Sequence, residues 1–102
     1  MQVVDVELAQ HGRTLVVVAA DGRRRDLSAS LLWSQCPSAQ GRVRRARGLN
    51  RAPENLLIKS VNAIGTYGVN IAFSDGHARG IYPWPYLAEL AERPQLEDFL
   101  ID

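Results

Sequence analysis

Hydrophobic and polar positions alternate most regularly between Tyr67 and Ser74, where Tyr67, Val69, Ile71 and Phe73 interleave with Gly68, Asn70, Ala72 and Ser74. That period of two predicts a strand with one buried face. Asp75-Gly76 follows, a dipeptide suited to a tight hairpin turn because it accepts positive φ. A two-residue turn sets Phe73 opposite Ala78 and Ser74 opposite His77. It continues the core face through Ala78, Gly80 and Tyr82, and leaves His77, Arg79 and Ile81 outside. A three-residue loop with a bulge at Gly76 would flip the second strand and turn Arg79 inward. The two-residue turn is preferred because an unpaired buried arginine is costly. Pro83 and Pro85 end the second strand and open a helix carrying Leu87, Leu90 and Ala91, with Arg93-Pro94 as its stop and Trp84 as a core plug at the corner.

The same reading covers the rest of the chain. Val4, Val6 and Leu8 alternate with Asp5 and Glu7 as a first strand, and Gln10-His11-Gly12 is a turn. Thr14–Ala20 is apolar on both faces and predicts a central strand. Asp21-Gly22 turns it into a short edge strand, Arg23–Leu27. Ser28 is placed to cap a helix over Ala29–Gln35. Ser38 starts a second, largely polar helix over Ala39–Arg47, closed by Gly48, unless residues 38–55 form a loop that orders on binding. Leu56–Ile64 is a further strand, and Gln95–Asp102 a tail with partial helical spacing. Together these predict a single α+β domain over residues 1–102: an antiparallel sheet of about five strands, built from hairpins, with two or three short helices.

Charge changes the picture more than composition does. The net charge of +1 divides into −2 over residues 1–21, +7 over residues 22–53 and −4 over residues 54–102. The positive block holds Arg23, Arg24 and Arg25, then Arg42, Arg44, Arg45 and Arg47, with Arg51 beyond. Such a block suits a protein partner with an acidic surface. Nucleic acid is the weaker reading, because a base-stacking surface needs aromatics among the charges and only Trp33 lies near. A single cysteine builds no internal disulfide. No apolar run spans a membrane, and MQVVDVELAQ lacks the features of a signal peptide, so the expected location is the cytoplasm.

FSDGH followed by GIYPWPYL, together with LLWSQCP at residues 31–37, resembles the gamma-butyrobetaine hydroxylase-like N-terminal domain family, as a small, stand-alone, bacterial-type member. The resemblance covers about Leu15 to Leu90. It implies a zinc module in the eukaryotic hydroxylases, built from several cysteines and a histidine at the position of His77. Here it leaves Cys36 and His77 as metal candidates, for zinc or an iron–sulfur cluster, where a structural zinc needs four ligands. The alternative is that Cys36 is a small buried apolar residue and His77 a hairpin residue bonded to Ser74 or Asp75.

Relatives of this kind stand alone, precede iron-dependent dioxygenase domains, or are fused to P-loop ATPases resembling iron–sulfur carriers. No nucleophile–base set or phosphate-binding loop is present in the sequence. The resemblance therefore implies a module that binds rather than catalyses, without a resident cofactor, as a monomer or weak homodimer. Its candidate partner surface is Asp75, His77, Arg79 and Trp84 with Arg42, Arg44, Arg45 and Arg47.

Overall fold

The computed structural model describes residues 1–49 and 51–93. Six strands and three α-helices follow in the order β1 (Val3–Ala9), β2 (Thr14–Ala19), β3 (Arg24–Ser28), α1 (Ala29–Ser34), α2 (Ala39–Ala46), β4 (Ile58–Ile64), β5 (Gly68–Phe73), β6 (Gly80–Pro83) and α3 (Trp84–Glu92). A 3-10 turn over Gln10–Gly12 joins the first two strands. The strands form two three-stranded antiparallel sheets, β1-β2-β3 and β4-β5-β6, not one sheet of about five. Alternation identifies each hairpin, but nothing in it fixes how one hairpin meets another. The two meanders have Leu15, Val17 and Leu27 on one side and Ile58, Ile71 and Tyr82 on the other in a common core. A shared apolar core replaces the edge pairing that a single sheet would have needed.

The core also takes Leu32 and Trp33 from α1, Cys36 from the following turn, and Leu87 and Leu90 from α3. β2 is buried along nearly its whole length, as expected of a central strand. β3 is an edge whose Arg24, Arg25 and Asp26 are exposed. Ser28 caps α1 by accepting the Leu31 N–H at 3.0 Å, and Ser38 caps α2 by accepting the Gly41 N–H at 3.1 Å. Residues 39–46 are thus a helix with its own cap, and Arg47 closes it. The tail over residues 95–102 lies outside the described residues. Among those described, no helix is long and apolar enough to cross a membrane.

The β5–β6 ladder has the expected register, with Val69 opposite Tyr82 and Ile71 opposite Gly80. The tip differs. Phe73 N–H donates to His77 O at 2.8 Å and Gly76 N–H to Phe73 O at 3.1 Å, with Gly76 at φ 93°. This is a three-residue loop, Ser74 to Gly76. It slips the register by one at the tip and sends His77 inward, where only 7% of it is exposed. The Asn70 side chain then donates to Ala78 O (2.8 Å) and Gly80 O (3.0 Å), standing in for ladder bonds. Residues 78 and 79 are held outward, and Gly80 re-enters in the original register. Both turn geometries therefore operate in sequence: His77 is buried, Ala78 is exposed rather than on the core face, and Arg79 stays in solvent. Tyr67, placed on the core face by alternation, is 60% exposed because it belongs to the β4–β5 turn, its N–H bonded to Ile64 O.

Candidate functional site

The site forms where the end of α1, the face of α2 and the β5–β6 loop meet. Cys36 Sγ lies 3.0 Å from His77 Nε2 and donates to Ser38 Oγ at 3.2 Å. Cys36 has no exposed surface. Asp75 ties the loop to α1, its Oδ2 accepting from Trp33 Nε1 at 2.8 Å, and its Oδ1 accepts from the His77 N–H at 3.0 Å. The His77 ring stacks on Phe73 at 6.1 Å and meets Trp33 edge-on at 6.4 Å.

α2 completes the assembly. The Arg44 guanidinium lies over the Trp33 ring, 4.2 Å from its centroid, a cation–π arrangement. Arg45 turns the other way, its Nη1 donating to Ser34 O at 3.1 Å and Cys36 O at 2.7 Å. It thereby satisfies carbonyls at the C-terminal end of α1, a structural duty distinct from binding a partner. Arg42 and Arg47 are exposed. The ion pairs among the described residues are Met1–Glu92, Arg23–Asp21, Arg24–Glu7 and Arg93–Glu89. None involves an arginine of α2 or Arg47 at its C-terminal cap, so these charges form no ion pair among the described residues. Gln40, Arg44, Asp75, Gly76 and His77 line a recess of about 250 Å³.

Burial lowers the pKa of His77 below its ordinary 6.5, with the Arg44 charge acting in the same direction, Asp75 opposing and Arg79 adding to the depression. Folding therefore favours the neutral ring. Above pH 6.5 both folded and unfolded states hold it neutral, and its contribution to stability is complete. As pH falls below 6.5 the unfolded chain takes up the proton first, and stability declines until the folded ring also protonates. Thermal melts from pH 7.5 to 5.0 should show this loss for the wild-type protein and a smaller one for His77→Gln.

Of the residues singled out in the sequence, the structure brings together Cys36, Asp75, His77 and Arg44. Arg42 lies on the same helix, Arg47 is its C-terminal cap, and Arg79 lies two residues beyond His77, exposed. Trp84 is elsewhere. It sits at the opposite end of the hairpin, half-buried, with Nε1 donating to Thr66 O at 3.1 Å, and lines a separate apolar recess of about 770 Å³ with Met1, Tyr67, Pro83 and Pro85. Trp33 and Gln40 were not assigned to the site from sequence. Trp33 was visible as the aromatic nearest the arginines, but its contact with Arg44 depends on how two short helices pack.

The Cys36–His77 pair occupies the positions that correspond to metal ligands in the family resemblance, but the donor set does not fit a closed zinc site. Among the described residues no three histidine, cysteine or acidic side chains are placed to hold one metal ion, and the near neighbour of the sulfur is a serine hydroxyl. The sulfur and the ring nitrogen stand at a hydrogen-bond separation of 3.0 Å.

Comparisons with known proteins agree with the fold. A solved protein with unknown function of the DUF971 family from Acidithiobacillus ferrooxidans is 30% identical, covering 90% of this chain and 94% of that one, with a TM-score of 0.72. Two proteins solved by NMR in solution are 28% and 29% identical. Their TM-scores are 0.71 and 0.67, and they cover 97% and 98% of this chain and 76% and 78% of their own. No curated protein matches. The model of the family described as gamma-butyrobetaine hydroxylase-like, N-terminal, matches residues 6–88. The chain belongs to that family.

Proposed function

We propose that this protein is a non-catalytic accessory module that binds an acidic protein partner through the exposed face of α2 and the adjoining β5–β6 loop. The observation that carries the reading is the unpaired charge of α2, whose three arginines, with Arg47 at its C-terminal cap, form no ion pair among the described residues. An unneutralised patch steers a partner of opposite sign and fixes its orientation. The wall behind it is firm, because Trp33, Asp75 and His77 are bonded or stacked to one another. A binding surface that need not order itself loses less entropy on association. The burial of Cys36 and His77 favours a structural over a nucleophilic role for both. Nucleic acid is a weaker fit, since Trp33 is buried beneath Arg44 and offers no face on which a base could stack.

The reading is tested by charge reversal at Arg42 and Arg47, which are exposed and outside the packed wall. Quantitative affinity capture with the untagged-surface wild type, R42E/R47E and the distant R24E should find one partner. Its yield should fall about tenfold or more in R42E/R47E, because like charges then face each other. Yield should also drop as salt rises. Equal capture by R42E/R47E and wild type would remove α2 from the interface.

A further inference from the structure

The guanidinium of Arg44 holds a buried donor with no acceptor. Its Nη1 has no hydrogen-bond partner among the described residues, and the half-buried side chain lines the recess with Gln40, Asp75, Gly76 and His77. The guanidinium carbon lies over the Trp33 ring, 4.2 Å from its centroid, which restricts its swing toward water. The carboxylate in the same recess is already committed, since Asp75 gives one oxygen to Trp33 Nε1 and the other to the His77 N–H. A buried charged donor left unmade is costly, and such sites normally acquire an acceptor.

We propose that the recess beside Arg44 is a carboxylate-binding subsite that receives one Asp or Glu side chain of the partner. This rests on the acidic-partner reading above and narrows it to a single contact. The shape and charge of the recess select the ligand class. A carboxylate is planar and offers two oxygens to the fork of a guanidinium. It carries one negative charge, whereas a phosphate near neutral pH carries more and would sit against the Asp75 carboxylate in the wall. About 250 Å³ accommodates the end of a side chain rather than a nucleotide. Gln40, exposed at the rim, has an amide able to donate to the second oxygen.

The test is nitrogen-15 NMR of the full chain titrated with the blocked tripeptide Ac-Gly-Glu-Gly-NH2, its glutamine analogue and inorganic phosphate. The indole N–H signals of Trp33 and Trp84 report on the two ends of the hairpin separately. The glutamate peptide should move the Trp33 indole and the Arg44 side-chain signals saturably and leave Trp84 unmoved. The glutamine peptide should move neither, and phosphate should bind more weakly. R44Q should weaken glutamate binding about tenfold or more, as expected for loss of a charge-assisted hydrogen bond. R42E/R47E should still show the Trp33 shift.

A silent Trp33 signal, equal response to glutamine, binding that survives R44Q, or tighter binding of phosphate would each overturn the subsite. If R44Q does not fold, the glutamate-against-glutamine comparison on the wild type decides alone. A silent subsite combined with partner capture that depends on Arg42 and Arg47 would sink this inference and leave the acidic-partner reading standing. A responsive subsite with capture indifferent to those arginines would do the reverse.

Discussion

Trp33→Ala should destabilise the protein by about 3–5 kcal/mol, the range for deleting a large buried aromatic, and should dismantle the candidate site at the same time. The ring is 6% exposed and lies in the common core. Its loss opens a cavity against His77, takes the indole donor from Asp75 Oδ2, and removes the platform under Arg44. These effects share one side chain, so they should appear together. Urea denaturation followed by far-ultraviolet circular dichroism measures the first. Loss of the carboxylate response at the Arg44 side-chain signals, in conditions where the variant is still folded, measures the second. Trp33→Phe separates them: it refills much of the volume but cannot donate to Asp75, so stability should recover in part while the loop stays loosened. A Trp33→Ala variant destabilised by less than about 1 kcal/mol would contradict the packing described.

Gly80→Ala should cost about 1–3 kcal/mol through overpacking and push Cys36 away from His77. A Cβ at this position would stand 2.6 Å from Cys36 Sγ and 2.9 Å from Tyr82 Cε1. Neither neighbour can easily yield. Cys36 is fully buried, and Tyr82 is anchored by its hydroxyl, which donates to Leu32 O at 2.5 Å. The hydroxyl's environment is dry enough that its pKa is driven far above the ordinary phenol value, burial being the main cause and Cys36 adding to it. The glycine in the GIYPWPYL motif is thus the gap into which the cysteine sulfur fits. Gly80→Ala with Cys36→Ala should recover a good part of the lost stability, whereas additive losses in the double variant would show that the two positions do not share that space.

These expectations indicate which parts of the molecule were legible in the sequence. Alternation at Val69, Ile71 and Tyr82 gave the register of the central hairpin, because period-two burial leaves only one way to keep those side chains inside. Ser28 and Ser38 marked the starts of α1 and α2 through local bonds that reach only three residues ahead. The separation into two sheets was not legible, since it depends on how finished hairpins pack against each other. The burial of His77 was missed for a different reason. It follows from competition at the tip between two turn closures, settled by Asp75 and Asn70 side chains bonding to nearby backbone.

The candidate site divides along the same line. Cys36 and His77 are 41 residues apart, and it was the family resemblance, not any local pattern, that paired them. The sequence showed a run of arginines on α2 but not their division of labour. Arg45 turns in to satisfy carbonyls, Arg44 lies on Trp33, and Arg42 and Arg47 face solvent. Only Gly41 of α2 is buried, so which arginine points where is decided by the surface the helix meets.

A partner that docks at the α2 face leaves free the apolar recess around Tyr67 and Trp84. Site-specific photocrosslinking decides between them most directly. A benzophenone amino acid placed at Gln40, exposed on the rim beside Arg44, and separately at Tyr67, 60% exposed at the far end of the hairpin, samples each surface without altering a charge. The account predicts an adduct from Gln40 that maps to an acid-rich segment of one partner, and none from Tyr67. An adduct formed from Tyr67 alone would contradict it and move the interface to the opposite end of the molecule.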